Sequence, residues 1–247
     1  MRIMMNESIN IYKDTISLSE GFTSFLKAEM EERDSLSISL SGGSTPKVLF
    51  RYWAENYSKS IDWERISFFW GDERCVPPDD PMSNYGMTKE LLFDKVGKID
   101  KSKIYRIQGE STIDDEIRRY EHLMNKHLPK ENGIPCFDIM MLGMGDDGHT
   151  VSIFPDRIAL WDSRENCVVA EHPETKMKRI SMTGRVVNNS RNIAFLVTGK
   201  KKAEKVKEII EQRDRFTDLY PAARVNPGHG NLYWFLDEEA AACLNIS

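Results

Sequence analysis

No stretch of this sequence approaches the ~20 consecutive apolar residues that a membrane span takes. At the amino terminus, Met1 to Asn6 is too short, and too soon broken by Asn6 and Glu7, to hold the apolar core of a signal peptide. Cysteine is scarce: the four residues, Cys75, Cys136, Cys167 and Cys243, stand far apart with no CxxC pair. Their spacing gives neither a zinc motif nor a disulfide framework, and fits a reducing compartment. A basic excess is missing too. With 34 Lys and Arg against 39 Asp and Glu the net charge is −5, which argues against general nucleic-acid or membrane binding. It does not forbid an anionic small ligand, because the field in a pocket is set locally. Internal repeats, low-complexity segments and linkers are absent as well. The expectation is a soluble, cytoplasmic protein in which monomer and homodimer are both open.

What is present is ordinary for a folded chain: 40% apolar and 30% charged residues over a length of 247. Helical spacing predicts helices over 19–33 with Ser19 as cap, from Pro46 onward, over 84–93, 114–127 and 201–211, and a short one after Asp237. Strands are expected over 36–40, 66–70, 137–142, 193–197 and 232–236, with shorter candidates at 104–107, 167–170 and 180–182. Strands alternating with helices predict an α/β fold: a single domain with a Rossmann-like, mostly parallel sheet and helices on both faces.

Four strands end in polar, glycine-bearing turns: SGGSTP at 41–46, GDER at 71–74, GMGDDGHT at 143–150 and TGKKKA at 198–203. In an open parallel sheet the carboxyl ends lie along one edge, so these turns can meet in one crevice. SGGSTP feeds a helix start and offers free N–H groups, hydroxyls and the positive end of a helix dipole to a phosphate. It lacks the spacing of a nucleotide P-loop or a dinucleotide fingerprint, and it also reads as a tight turn with a capping serine. In GDER, alternation points Asp72 and Arg74 to one side and Glu73 away. Arg74 has the chemistry to grip a phosphate or stabilise an oxyanion; a surface ion pair is the plainer reading. Cys75 beside it is expected to be a small, partly buried side chain rather than a nucleophile.

In GMGDDGHT, Asp147 and His149 lie two apart, and a neighbouring carboxylate is able to fix an imidazole tautomer and raise its basicity. His149 is therefore the candidate general base, with a helix-capping histidine as the alternative. A metal on His149 with Asp146 or Asp147 lacks a third ligand at recognisable spacing. His122, His127, His172 and His229 have no such neighbours and read as structural or solvated. TGKKKA brings three lysines to a helix start, where cations oppose the dipole; a bound anion is one reason for them, and solvated surface lysines are the other.

Taken together, SGGSTP, GDER followed by VPP and SNYGM, LGMGDDGHT-x-SIFP, RISMT, VTG-x-x-KA, PAARV-x-P and WFLD resemble the 6-phosphogluconolactonase family, in that family's order from Leu36 to Ala242. The wider superfamily is the glucosamine-6-phosphate deaminase and ribose-5-phosphate isomerase type. The resemblance implies hydrolysis of the δ-lactone of a phosphorylated sugar acid in the oxidative pentose phosphate pathway, with no metal or organic cofactor. It also implies roles: Gly42, Gly43, Ser44 and Thr45 with Lys202 and Arg179 for the phosphate, and His149, Asp147, Arg74 and Asp72 for the reaction. The related deaminases carry a glutamate five positions after the histidine; here that position is Phe154, which cannot move a proton. Small departures are Val151 and Asp156, where the family often has alanine and glycine, Thr183-Gly184-Arg185, and a loop over 174–178 poorer in proline. A sugar-phosphate sensor without catalysis is the reading from another class, and the Asp147/His149 pair speaks against it.

Overall fold

The computed structural model describes residues 6–245; most of the segment where no signal-peptide core is expected, 1–5, lies outside them. In chain order the strands are β1 (Asn6–Tyr12), β2 (Leu36–Leu40), β3 (Ile66–Trp70), β4 (Asp72–Arg74), β5 (Lys130–Glu131), β6 (Ile134–Pro135), β7 (Ile139–Leu142), β8 (Cys167–Glu171), β9 (Lys178–Met182), β10 (Asn192–Val197) and β11 (Asn231–Asp237). The α-helices are α1 (Thr15–Glu31), α2 (Ser44–Asn56), α3 (Asn84–Thr88), α4 (Ile113–His127), α5 (Gly184–Val187), α6 (Ala203–Phe216) and α7 (Glu238–Ala241).

Six strands run parallel in the order β1-β11-β10-β7-β2-β3. Every residue of β2, β7 and β10 is buried, as a sheet covered on both faces requires. Alternation along β11 shows the two coverings. Tyr233 and Phe235 meet Phe25 of α1, with ring centroids 4.8 and 5.7 Å away. Trp234 points the other way and donates its indole N–H to Glu7 at 2.7 Å, and Glu7 also takes Arg213 of α6. No helix among the described residues is long and apolar enough to cross a membrane.

The order of the strands fixes where chemistry belongs. β2 has β3 on one side and β7 on the other, so the chain runs outward to β3 and then returns past β2. That reversal opens a crevice at the carboxyl ends of β2 and β7. A second, antiparallel sheet, β4-β9-β8, rises from this edge. Gly71 joins the two: its N–H donates to the Leu40 carbonyl at 3.0 Å and its own carbonyl accepts from the Met182 amide at 2.8 Å.

Several boundaries differ from the sequence-based expectation. α1 begins at Thr15, because Asp14 and Ser17 form a reciprocal capping box; Ser19 lies inside the helix and donates to the Thr15 carbonyl at 2.7 Å. α2 starts at Ser44, two residues before Pro46. The helix over 84–93 is α3 followed by a wider π-type turn, Lys89–Phe93. Residues 104–107 make only one bridge, Ile104 to Phe68, and β1 and the β5–β6 hairpin stand where no strand was expected. GDER continues from its turn into β4.

Candidate active site

The four turns converge on a cleft of about 210 Å³ at the carboxyl edge. Gly42, Gly43, Ser44, Thr45, Asp72, Arg74, His149, Arg179 and Lys202 all line it. Asp147 stands behind His149 rather than on the wall.

The turn after β7 is shaped to hold that pair. Asp147 Oδ1 lies 2.6 Å from His149 Nδ1 and accepts the His149 backbone N–H at 3.1 Å. In the neutral tautomer that donates Nδ1–H to this carboxylate, Nε2 carries the lone pair. Burial raises the Asp147 carboxyl pKa, but the hydrogen bonds and charge of His149 outweigh that and bring it down to about 2. Gly145 leaves the room: a Cβ there would stand 2.1 Å from His149 Nδ1 and 2.4 Å from Asp147 Oδ1. The Gly145 amide donates to the His149 carbonyl at 2.9 Å, closing the turn. On its other side the imidazole rests on Phe154, centroids 4.5 Å apart. Phe154 is buried, and no acid stands at that position.

The turn after β3 divides its charges as alternation predicts. Asp72 and Arg74 face the cleft while Glu73 points into the scaffold. Asp72 Oδ2 accepts from Ser152 Oγ at 2.5 Å, and Arg179 Nη1 donates to the same hydroxyl at 3.3 Å. Arg74 and Arg179 are direct cross-strand partners of β4 and β9. Like charges in that position repel. Among the described residues neither guanidinium makes an ion pair; Arg74 donates to the Met82 carbonyl at 2.5 Å, and Arg179 lies over the Phe154 ring at 5.4 Å. The Nε of each is buried without an acceptor. Burial lowers the Arg179 pKa, Asp72 offsets part of this, and Arg74 lowers it further. Two adjacent, under-compensated guanidiniums have the chemistry to take an anion.

SGGSTP supplies the facing wall. Gly43 sits at φ 111° immediately before α2, and the first-turn N–H groups have no intrahelical acceptors. Thr45 Oγ1 bonds Thr198 Oγ1 at 2.7 Å, tying this turn to the one after β10. Lys202 reaches the cleft from that second turn and pairs with Asp146 at 2.5 Å.

The model of the family described as "Glucosamine-6-phosphate isomerases/6-phosphogluconolactonase" matches residues 15–234. The chain belongs to this family. It is 42% identical to a 6-phosphogluconolactonase of Treponema pallidum, over 79% of this chain and 80% of that protein. With a 6-phosphogluconolactonase of Haemophilus influenzae the identity is 44%, over 84% and 87%. The structure of 6-phosphogluconolactonase from Trypanosoma brucei superposes with a TM-score of 0.84 at 27% identity, covering 96% of this chain and 98% of that one.

Two side chains of this family member, Asn84 and Ser152, escaped the sequence reading. Asn84 lines the cleft and donates to the Asp72 carbonyl at 3.0 Å; a Cβ on Gly42 would meet its Oδ1 at 1.9 Å. Ser152 links Asp72 to Arg179. His172 was expected to be structural or solvated, and its contacts are those of a structural residue. Its Nδ1 accepts from the amides of Glu174 and Thr175 at 3.2 and 3.3 Å, while its ring meets Phe154 edge-on at 5.1 Å. Val151, a departure from the family pattern, holds φ 48° while lining the cleft, an uncommon conformation for a β-branched residue. Arg185 is exposed on α5 and takes no part in the lining. Cys75 is half-buried, and burial together with Glu73 raises its thiol pKa, which does not suit a nucleophile.

Proposed function

We propose that this protein hydrolyses 6-phospho-D-glucono-1,5-lactone to 6-phosphogluconate, the hydrolytic step of the oxidative pentose phosphate pathway, with His149 as general base. The observation that carries the reading is the Asp147-held imidazole, with Nε2 free, in a cleft that also contains the unpaired Arg74 and Arg179.

In this reading the phosphate is taken by the amides and hydroxyls of Gly42, Gly43, Ser44 and Thr45, with Lys202 and Arg179 supplying charge. Water attacks C1 and gives a proton to His149 Nε2, and the lactone carbonyl becomes an oxyanion that Arg74 stabilises. The bond from C1 to the ring oxygen then breaks, and the imidazolium returns its proton to that oxygen. Asp147 holds the imidazole throughout, and Asp72, fixed by Ser152, is placed to hold sugar hydroxyls. Water attacking an activated ester needs no metal or organic cofactor.

Phe154 supports hydrolysis over sugar deamination, because the position five after His149 carries a buried ring against the imidazole instead of an acid. The test generates the lactone in situ by oxidising glucose 6-phosphate and follows its disappearance with and without the protein. Acceleration is expected, together with no ammonia from glucosamine 6-phosphate. Lactone decay at the spontaneous rate overturns the reading and favours the sensor.

A further inference from the structure

At the opposite, amino edge of the parallel sheet, three side chains that no catalytic role uses converge. Glu131 lies on β5, Cys136 just before β7, and His229 just before β11. One donor atom of each lies within 4.8 Å of the other two, and Glu131 Oε2 stands 3.4 Å from His229 Nε2. We infer that these residues form a binding site for a zinc-class divalent cation, remote from the catalytic cleft.

The donor set is what selects the ion. One thiolate, one imidazole nitrogen and one carboxylate oxygen suit zinc, while magnesium and calcium favour oxygen ligands alone. Zinc bonds of about 2.0–2.3 Å place tetrahedral ligand atoms roughly 3.3–3.8 Å apart. The carboxylate–imidazole pair already has that spacing, and the buried thiol forms the floor beneath two partly exposed side chains. Solvent reaches the open side, which gives the ion both an entry path and a water as fourth ligand.

Arg191 is the charged neighbour of the site; its guanidinium also bonds the Cys136 thiol, which it gives up to the ion. Arg191 lies 3.8 Å from Glu131 Oε1, leaving Oε2 to the ion, and it has a second carboxylate, Asp138, at 3.4 Å. Thiolate and carboxylate together neutralise Zn²⁺, and Arg191 keeps Asp138, which it shares with Arg33 at 3.4 Å. Binding replaces the thiol's S–H bond with an S–Zn bond and releases that proton to solvent. Glu131 is carried by a hairpin whose turn is Asn132 and Gly133, at φ 53° and 76°, and His229 by the loop before β11, so the ion would tie that loop to the hairpin.

The full-length protein is stripped with a chelator, dialysed against zinc(II), and assayed for bound metal and for its unfolding midpoint. One zinc per chain and a raised midpoint are expected. His229→Ala and Glu131→Gln, both at partly exposed positions, each weaken zinc binding more than about tenfold, at least the effect of changing a group that only supports a ligand. His149→Ala retains the zinc, which separates this site from the catalytic imidazole whatever reaction the cleft performs. Cobalt(II) in place of zinc gives a sulfur-to-metal absorption band that Cys136→Ser abolishes. Stripped protein that takes up no zinc, or His229→Ala and Glu131→Gln proteins that hold it as tightly as the parent, overturn the inference.

Discussion

The turns after β3 and β7 each carry two adjacent acids, Asp72-Glu73 and Asp146-Asp147, and each turn separates its pair differently. After β3 the division follows strand alternation: Asp72 faces the cleft, and Glu73 is buried beneath it. Glu73 accepts from the amides of Tyr85, Asn84 and Arg74 at 2.7, 2.8 and 2.8 Å and from Ser83 Oγ at 3.0 Å. Burial raises its pKa while those bonds hold it down. It therefore anchors the start of α3, and with it Asn84, from behind the site. After β7 there is no ladder to alternate along, and neither acid is buried. The split is made by partners instead, Asp147 on His149 and Asp146 on Lys202. Adjacent identical charges thus take up scaffold, positioning and pairing duties according to backbone direction and nearby cations.

The largest effect expected of this contrast is catalytic. His149→Ala should lose about 10²–10⁴-fold in turnover, the usual worth of a positioned base, with its fold intact by circular dichroism. Turnover close to the parent's would remove His149 from the chemistry. Next in size is a stability effect in the other turn. Glu73→Gln keeps one acceptor oxygen but gives Ser83 Oγ and the Tyr85 amide an N–H₂ that cannot accept. Leaving such buried donors unmatched costs about 1–3 kcal/mol, readable in urea unfolding. If Glu73→Gln unfolds at the parent's urea midpoint, Glu73 is not the anchor of α3.

How far the sequence could be read follows from the same contrast. The long central strands and the four turns were legible, because a buried parallel strand is an apolar run and a site at its end needs glycine and polar residues. The capping box at Asp14 and Ser17 was written in the sequence, but Ser19 competed for the same helix start. β1 was not legible: it is an edge strand with Ile9 and Ile11 39% and 41% exposed, so its pattern lacks a buried face. Asn132-Gly133 is a strong hairpin signal, yet each flanking strand has only two residues and no alternation to display. In the cleft, Asp147 and His149 are neighbours in sequence and were found together. The Arg74–Arg179 juxtaposition depends on the register of β4 against β9, which no local pattern states, and the contacts of Asn84 and Ser152 depend on the same packing.

A smaller effect concerns pH. The Asp147 carboxyl is depressed in the folded protein, from 3.8 to about 2, so its contribution to stability is fully present above the unfolded value and is lost as pH falls toward the folded one. Its side chain is 44% exposed, so solvent screening limits the gain to about 1 kcal/mol. Asp147→Asn should therefore be less stable than the parent at neutral pH, and the gap should close between about pH 4 and pH 2. A gap that stays constant across that range would mean that the carboxylate's charge on His149 contributes nothing to folding.

The smallest effect isolates the pairing acid. Lys202 is held by Asp146 at 2.5 Å while lining the cleft, on the wall proposed to take the phosphate, and Asp146 is 58% exposed. An exposed pair is worth about 0–1 kcal/mol, so a phosphate recruiting Lys202 gives up at most that much. Asp146→Asn should lower KM for the phospholactone by up to about fivefold, the equivalent of that energy, and leave kcat in place. Lys202→Ala should move KM the opposite way, again with kcat little changed if the lysine binds ground and transition states alike. The double variant should match Lys202→Ala alone, since Asp146 then has no ammonium to compete for. If Asp146→Asn instead raises KM, the carboxylate orients Lys202 toward the phosphate rather than competing with it, and Asp146 joins Asp147 as a positioning acid.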